Sequence, residues 1–205
     1  MVIVRMPPPN GGISPQYVTL KKGEELVRIF DPTSYGATAV GFRNYGPISR
    51  FDHHQEYPDK IDPDRSVIYL GKSLSCCLVE IFGDGDVIEL RQQKIAFLTL
   101  PKDLKLLELR GSGAMGAGTV SAISAITQRD ISQAWGKYFY DNSQLYGEVD
   151  GLIFSGAHNA EDAIMLYERA KSTVRWAKVE VLDLNHPDLI ELILEIAEMH
   201  GLLVV

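Results

Sequence analysis

Short apolar segments separated by turn residues recur along the chain, and this pattern predicts several β-strands. Most of these segments are shorter than a typical helix and are bounded by Gly, Pro, Asn, Asp or Ser, as strands usually are. The predicted strands are residues 26–30, 66–70, 95–100, 104–109, 151–155 and 179–184.

Longer apolar patterns with start or stop signals predict helices. The predicted helices are residues 73–82, 120–128, 131–140, 159–170 and one that begins at residue 187. Ser73 is a capping residue at the start of the first helix, and Gly201 ends the last one. Asn159 and Asp162 resemble a capping box at the start of the fourth helix.

Strands and helices are mixed without strict alternation, which predicts a single α+β domain with a mixed sheet flanked by helices. Residues 1–25 are rich in proline and glycine and are expected to form an N-terminal arm, so that the domain covers residues 26–205. Residues 33–64 and 111–118 are expected to be loops. The first of these is too long for an idle connection, and long loops are usually functional.

Composition and charge exclude several classes of protein. With 45% hydrophobic and 23% charged residues among 205, the chain is typical of globular proteins and unlike disordered or collagen-like ones. The net charge of −7 comes without clustered positive charge, which argues against direct nucleic-acid binding. The adjacent Cys76 and Cys77 cannot join distant segments, and no apolar run approaches the ~20 residues of a membrane span. We therefore expect a cytoplasmic protein without a membrane partner.

Three motifs look like known sites but lack the required context. Residues 111–116 have the glycine spacing of a dinucleotide fingerprint, but no strand with a terminal acid follows. Asp52, His53 and His54 are adjacent, so they point to different faces and favour a polar loop over a metal site. Ser155 lacks the upstream glycine of a hydrolase nucleophile elbow. The sequence predicts no metal site.

Four other side chains are more informative together than separately. Arg28 lies inside an apolar strand, and Glu80 lies near the end of an apolar helix. Arg50 closes the long loop, and Tyr69 lies in the second predicted strand. Charges in apolar segments need a partner or a polar cleft. Residue chemistry leaves two interpretations open, which are a structural ion pair of Arg28 with Glu80 and a shared polar site.

Four segments, in this order, carry a resemblance to a known family. They are Leu26-Val-Arg-Ile-Phe30, Gly46-Pro-Ile-Ser-Arg-Phe-Asp-His-His54, Val67-Ile-Tyr-Leu-Gly-Lys-Ser-Leu-Ser-Cys-Cys-Leu-Val-Glu-Ile-Phe82 and Asp150-Gly-Leu-Ile-Phe-Ser155. With them the chain resembles the RES-domain family, the toxin halves of bacterial toxin–antitoxin pairs. The resemblance implies a fold like that of ADP-ribosyltransferases and an activity that consumes NAD⁺.

The resemblance also implies a set of site residues. They are Arg28, Glu80 and Ser155 as catalytic residues, and Tyr69, Arg50 and Arg43 as substrate-binding residues. Arg28, Tyr69, Glu80 and Ser155 are expected to line one cleft. The second arginine of the family pattern is either Arg50 or Arg43. Glu80 would stabilise the positive charge that develops on the ribose, and the arginines would bind the pyrophosphate or a phosphate.

The implied partners and the alternatives complete the prediction. NAD⁺ is the expected substrate, inorganic phosphate a possible co-substrate, and no cofactor or metal is implied. The expected protein partner is an antitoxin with a helix-turn-helix of the Xre type. The expected assembly is a homodimer or a toxin–antitoxin hetero-oligomer. Two alternatives stay open: transfer of ADP-ribose to a protein target, and a non-catalytic module that binds a nucleotide or a protein.

Overall fold

An eight-stranded mixed β-sheet is the largest element of the computed structural model, which describes residues 2–55 and 59–205. The strands of the chain are β1 (Tyr17–Leu20), β2 (Glu25–Phe30), β3 (Tyr45–Gly46), β4 (Lys60–Ile61), β5 (Val67–Gly71), β6 (Val87–Ile88), β7 (Lys94–Thr99), β8 (Leu104–Glu108), β9 (Gly151–Ser155), β10 (Asp162–Tyr167), β11 (Lys178–Asp183) and β12 (Leu203–Val204). The order in the large sheet is β1-β8-β9-β10-β5-β2-β7-β11, with β8 and β9 parallel and the other neighbours antiparallel.

Helices cover the sheet, and capping residues explain where one of them begins and another ends. They are α1 (Leu74–Phe82), α2 (Ser112–Gly116), α3 (Arg129–Asp141), α4 (Ser143–Tyr146), α5 (Lys171–Val174) and α6 (Pro187–His200). The hydroxyl of Ser73 accepts a hydrogen bond of 2.9 Å from the amide of Cys76, which caps α1. Gly201 takes the left-handed conformation that ends α6. No helix within the described residues has the length and apolar character needed to cross a membrane.

The core lies on both faces of the central strands. Along β10, Ala163, Met165 and Tyr167 pack into one apolar cluster, and Ile164 and Leu166 pack into another on the opposite face. The first cluster includes the apolar side of α3. Helices α1 and α6 pack against β2 and β7 in a third cluster. The prediction of an α+β domain with a mixed sheet flanked by helices is confirmed.

The sheet opens between β2 and β5, and this opening positions the site described below. The two strands share only the pair of Val27 with Gly71, whereas β2 pairs with β7 over six residues. Beyond that pair, β5 bonds to the loop instead. The amide of Arg43 donates to the carbonyl of Val67 at 2.8 Å, and the carbonyl of Arg43 accepts from the amide of Val67 at 2.9 Å. The segment 38–43 therefore borders the opening.

The predicted helix at 159–170 is wrong, because this segment contains β10. Residues 163–167 are buried on both faces, so the strand has a continuous apolar run instead of alternation, and such a run does not distinguish a strand from a helix. The Asn159 side chain does not cap a helix. It organises the preceding turn by accepting from the amide of Glu161 at 3.1 Å.

Other local predictions also differ from the structure. The helix predicted at 120–128 is reduced to a 3₁₀ turn, Ser121–Ser124, and part of the loop predicted at 111–118 is α2. Within residues 1–25, β1 pairs with β8 at the edge of the sheet. Residues 1 and 56–58, which belong to the predicted arm and the predicted loop 33–64, lie outside the described residues. The remaining predicted strands and helices are confirmed within a few residues.

Candidate functional site

A buried carboxylate, Asp52, connects the loop before residue 55 to strand β5. Its side chain is completely buried and accepts from Nη2 of Arg43 at 2.8 and 2.9 Å. It also accepts from the hydroxyl of Tyr69 at 2.9 Å and from the amides of Ile48 and Ser49 at 2.7 and 2.9 Å. Asp52 thus compensates the charge of Arg43, one of the two candidate arginines, and fixes the hydroxyl of Tyr69.

The hydroxyl of Tyr69 makes two hydrogen bonds, one as donor and one as acceptor. Its hydroxyl donates to Asp52 and accepts from the amide of Phe51 at 3.2 Å. Burial, followed by the negative charge of Asp52, raises the pKa of Tyr69 well above its usual value. The tyrosine is therefore a neutral side chain whose partly buried ring is fixed at the opening of the sheet.

Arg50, in contrast to Arg43, has no carboxylate at ion-pair distance among the described residues. It donates a hydrogen bond to the carbonyl of Ile126, and Arg129 on α3 donates to the carbonyl of Ile48 at 3.3 Å, so both guanidinium groups lie between the same two segments. Burial, followed by the positive charge of Arg129, lowers the pKa of Arg50, while the negative charge of Glu80 acts in the opposite direction. Arg50 therefore lies within electrostatic reach of Glu80 without pairing with it.

Glu80 extends from the last turn of α1 to the turn that follows β9. One oxygen, Oε1, accepts from the amides of Ala157 and His158 at 2.7 and 3.3 Å, and lies 3.3 Å from Nδ1 of His158. The other oxygen, Oε2, has no hydrogen-bond partner among the described residues. Gly156 fits against this carboxylate, since a Cβ there would lie 2.9 Å from Oε1. The side chain is 27% exposed, so Oε2 can be reached from solvent.

Ser155 lies at the end of β9, opposite Asp162 of β10 and directly before the turn that binds Glu80. Within the described part of the chain, its hydroxyl has no hydrogen-bond partner. Ser155 therefore lies two residues before Ala157, whose amide binds Glu80, and its hydroxyl is available to bind a ligand.

Arg28 lies apart from Glu80. Strand alternation places it on the face of Leu26 and Phe30, whereas Val27 packs toward α1. Its Nη1 donates to the carbonyls of residues 38, 39 and 41 at 2.8, 3.4 and 2.8 Å. An ion pair of Arg28 with Glu80, one interpretation of the sequence, is therefore wrong.

The charge of Arg28 is only partly compensated. Among the described residues it contacts no carboxylate, and its Nε and Nη2 make no hydrogen bond. Burial, followed by the positive charge of Arg43, lowers the pKa of Arg28 to about 10. A guanidinium in such surroundings favours an anionic ligand.

The segment that contains Asp52 is a loop of polar residues, as expected, but sequence reasoning missed that its side chains are buried. His53 and His54 beside it are also buried, and Nε2 of His53 lies 2.9 Å from Oε2 of Glu168. Among the described residues no three metal-ligating side chains converge. The apolar Phe51 next to them, fully buried, was the available sign that this loop enters the core.

Two further residues near the candidate site, His158 and Arg129, were also missed. His158 was overlooked because histidine is not basic at neutral pH without a favourable environment. Arg129 lies at the start of a helix, where a positive charge is normally exposed, and its proximity to Arg50 depends on a contact across about 80 positions. No local signal marks either residue.

Comparison with known proteins agrees with the four resembling segments. The RES domain family matches residues 25–188, and no curated protein matches the chain in sequence. A chain in the crystal structure of the M. tuberculosis MbcT–MbcA toxin–antitoxin complex is similar in fold, with a TM-score of 0.52 and 14% identity. The similarity covers 81% of this chain and 86% of that chain. Because the family match extends over most of its length, the chain belongs to the RES domain family.

Proposed function

We propose that the protein is the toxin of a toxin–antitoxin pair and degrades NAD⁺ by cleaving the bond between ribose and nicotinamide. One observation carries the proposal: Glu80 keeps a free carboxylate oxygen within electrostatic reach of Arg50, which has no carboxylate partner among the described residues. A separated anion and cation of this kind suit a substrate that has phosphates and develops positive charge on a sugar.

Glu80 supplies the negative charge in this mechanism. As the bond between C1 of the ribose and the nicotinamide nitrogen breaks, its electron pair returns to the nicotinamide and positive charge develops on the ribose. A fixed carboxylate beside C1 stabilises that charge more in the transition state than in the ground state. Inorganic phosphate then bonds to C1 through one oxygen, which gives ADP-ribose phosphate.

The arginines take different roles. Arg50 is the better candidate for the phosphate-binding arginine, because Arg43 already binds Asp52 with both carboxylate oxygens engaged. Arg28 retains two nitrogens for a phosphate at the opening between β2 and β5. Guanidinium groups bind phosphate through forked hydrogen bonds, so these two side chains fit the pyrophosphate or the incoming phosphate.

Tyr69 and Ser155 are assigned to substrate binding and orientation. The ring of Tyr69 is held in place by Asp52, which suits stacking against a planar nicotinamide. The Ser155 hydroxyl can donate to or accept from a ribose hydroxyl or the carboxamide. Tyr69 lies in the same region as Glu80 and Arg50, since the charges of Glu80 and Tyr69 both act on the pKa of Arg50. Ser155 directly precedes the turn whose amides bind Glu80.

The proposed partner is an antitoxin that blocks this site. The RES family assignment and the fold similarity to a chain of a toxin–antitoxin complex support this part of the proposal. A toxin that consumes cytoplasmic NAD⁺ must be neutralised in the cell that makes it. We extend the proposal to an antitoxin with an Xre-type helix-turn-helix, because the resemblance to RES-domain toxins implies one.

The test is nicotinamide release from NAD⁺ by the purified chain, with and without inorganic phosphate. We expect release that depends on phosphate, and a loss of about 100-fold in E80Q. The matched control is E180Q, which removes an exposed carboxylate on β11 and should leave release unchanged. Release without phosphate, together with ADP-ribose attached to protein, would favour the transferase alternative. No release with any acceptor would overturn the enzymatic proposal.

A further inference from the structure

The imidazole of His158 lies between two carboxylates near the end of α1. Its Nδ1 is 3.3 Å from Oε1 of Glu80, and its Nε2 is 3.1 Å from Oδ1 of Asp84. Asp84 belongs to the 3₁₀ turn Gly83–Gly85 that continues α1. The ring thus connects the candidate catalytic carboxylate to a second, exposed carboxylate four residues later.

The two contacts together specify a protonation state. An ionised carboxylate only accepts hydrogen bonds, and a neutral imidazole carries one N–H donor. Only the imidazolium, with a proton on each nitrogen, can donate to Glu80 and Asp84 at the same time. Burial opposes this charge, but the hydrogen bonds to Asp84 and Glu80 outweigh it and raise the pKa of His158 above 6.5.

The backbone around the ring is shaped for this arrangement. A Cβ on Gly83 would lie 2.7 Å from Cδ2 of His158, and a Cβ on Gly156 would lie 2.9 Å from Oε1 of Glu80. Real Cβ atoms do not approach so closely, so a side chain at either position would displace the ring or the carboxylate. The absence of a side chain at both positions permits the contact of His158 with Glu80.

We propose that the imidazolium of His158 is a positioning residue that holds Oε1 of Glu80 and leaves Oε2 directed at the substrate ribose. The inference rests on the proposed function, because it assigns His158 a part in the same cleavage. Together with the amides of Ala157 and His158, the ring would occupy one oxygen from one side. The carboxylate would then be oriented before the substrate binds. Catalytic groups that are fixed in advance accelerate a reaction because they need no reorganisation in the transition state.

A pH dependence follows from this arrangement. The charged groups around His158 are Glu80 on α1 and Asp84 in the 3₁₀ turn, while Arg50 lies within reach of both carboxylates. When pH rises through the pKa of His158, the ring loses one donor, and the exposed nitrogen lone pair then faces a carboxylate. Turnover should therefore fall on the alkaline side of the His158 titration.

The experiment compares H158Q, H158L and the control H186Q with the wild-type chain. Glutamine keeps N–H donors but does not titrate, and leucine removes the contact. His186 also lies near a carboxylate, with Nδ1 3.7 Å from Asp188, but it contacts none of the candidate site residues described above. Nicotinamide release is measured from about pH 5 to about pH 9, and the His158 pKa is measured by NMR in the wild type and in E80Q.

We expect H158L to lower kcat about tenfold with little change in the KM for NAD⁺, because a misplaced catalytic group stabilises the transition state less. H158Q should keep most of the wild-type kcat but lack the decline in turnover at alkaline pH. H186Q should behave as the wild type. The NMR titration should show a lower His158 pKa in E80Q.

Two results overturn the inference, and they are distinguishable from failure of the proposed function. An active wild type with normal turnover in H158L, or a His158 pKa that is the same in E80Q, overturns the positioning role alone. A wild type that releases no nicotinamide with phosphate, water or protein as acceptor overturns the proposed function and this inference with it.

Discussion

The hydroxyl of Tyr69 donates a 2.9 Å hydrogen bond to Oδ1 of Asp52, and this contact joins strand β5 to the loop that contains Arg50. Asp52 is buried, and Arg43 supplies the compensating charge on its other side. The position of the tyrosine ring and the course of the loop therefore depend on one carboxylate.

The substitution D52N tests this dependence. It keeps the size of the side chain but leaves Arg43 without its counter-charge, and we expect the free energy of unfolding to fall by about 3 kcal/mol. Urea denaturation measures the change. The control D103N breaks the exposed pair with Lys21 and should alter stability little. Equal stability of D52N and the wild type would contradict the structural role of Asp52.

The substitution E80Q separates a catalytic role from a structural one. Glu80 pairs with the partly exposed His158 and not with the buried Arg28, so neutralising it should lower the free energy of unfolding by less than about 1 kcal/mol. Turnover of NAD⁺ should nevertheless fall about 100-fold through kcat, since the charge matters most in the transition state. Thermal unfolding and turnover are measured on one preparation. A large drop in Tm with normal turnover per folded molecule would refute the catalytic role.

The neighbouring glycines Gly83 and Gly85 offer a matched pair of substitutions. A methyl group at residue 83 meets the ring of His158, whereas a methyl group at residue 85 meets no atom of the described residues within 4 Å. The backbone at Gly83 is helical and accepts alanine, so both variants should fold. We expect G83A to reduce turnover about tenfold and G85A to leave it unchanged. Identical kinetics in the two variants would argue against a role of the ring position.

Glu168 gives the fold an acid-sensitive contact outside the candidate site. Burial alone would raise its pKa, but hydrogen bonds from His53 and Tyr140 outweigh burial and lower it to about 2 from 4.5. A depressed carboxyl pKa stabilises the fold above the unfolded value, so this contribution is complete above pH 4.5 and disappears as pH falls toward 2.

The variant E168Q should therefore be less stable than the wild type at neutral pH, by about 2 kcal/mol after allowance for solvent screening. The difference should shrink on acidification below pH 4.5. His53 has a lowered pKa because of burial, so acid destabilisation also begins near its ordinary value of 6.5 in both proteins. Unfolding curves recorded at a series of pH values check the prediction. A difference independent of pH would contradict the assignment to the Glu168 carboxylate.

Local sequence determines much of the secondary structure here. The Ser73 cap and the apolar run behind it specify α1, and Gly201 specifies the end of α6, because capping acts between near neighbours. The charged Arg28 and Glu80 were recognisable as site candidates since each stands in an apolar segment. The membership in the RES domain family was likewise readable from four segments in order.

Tertiary structure decided the rest, because the deciding contacts join distant positions. Strand β10 was predicted as a helix, and only burial between β9 and β5 makes its apolar run a strand. Asp52 binds Arg43, and Arg50 has no carboxylate partner within the described part of the chain, a difference that no local pattern reveals. His158 meets Glu80 across 78 positions. The stability of these contacts depends on burial and charge, and both are set by which segments pack together. Local periodicity in the sequence does not contain that information.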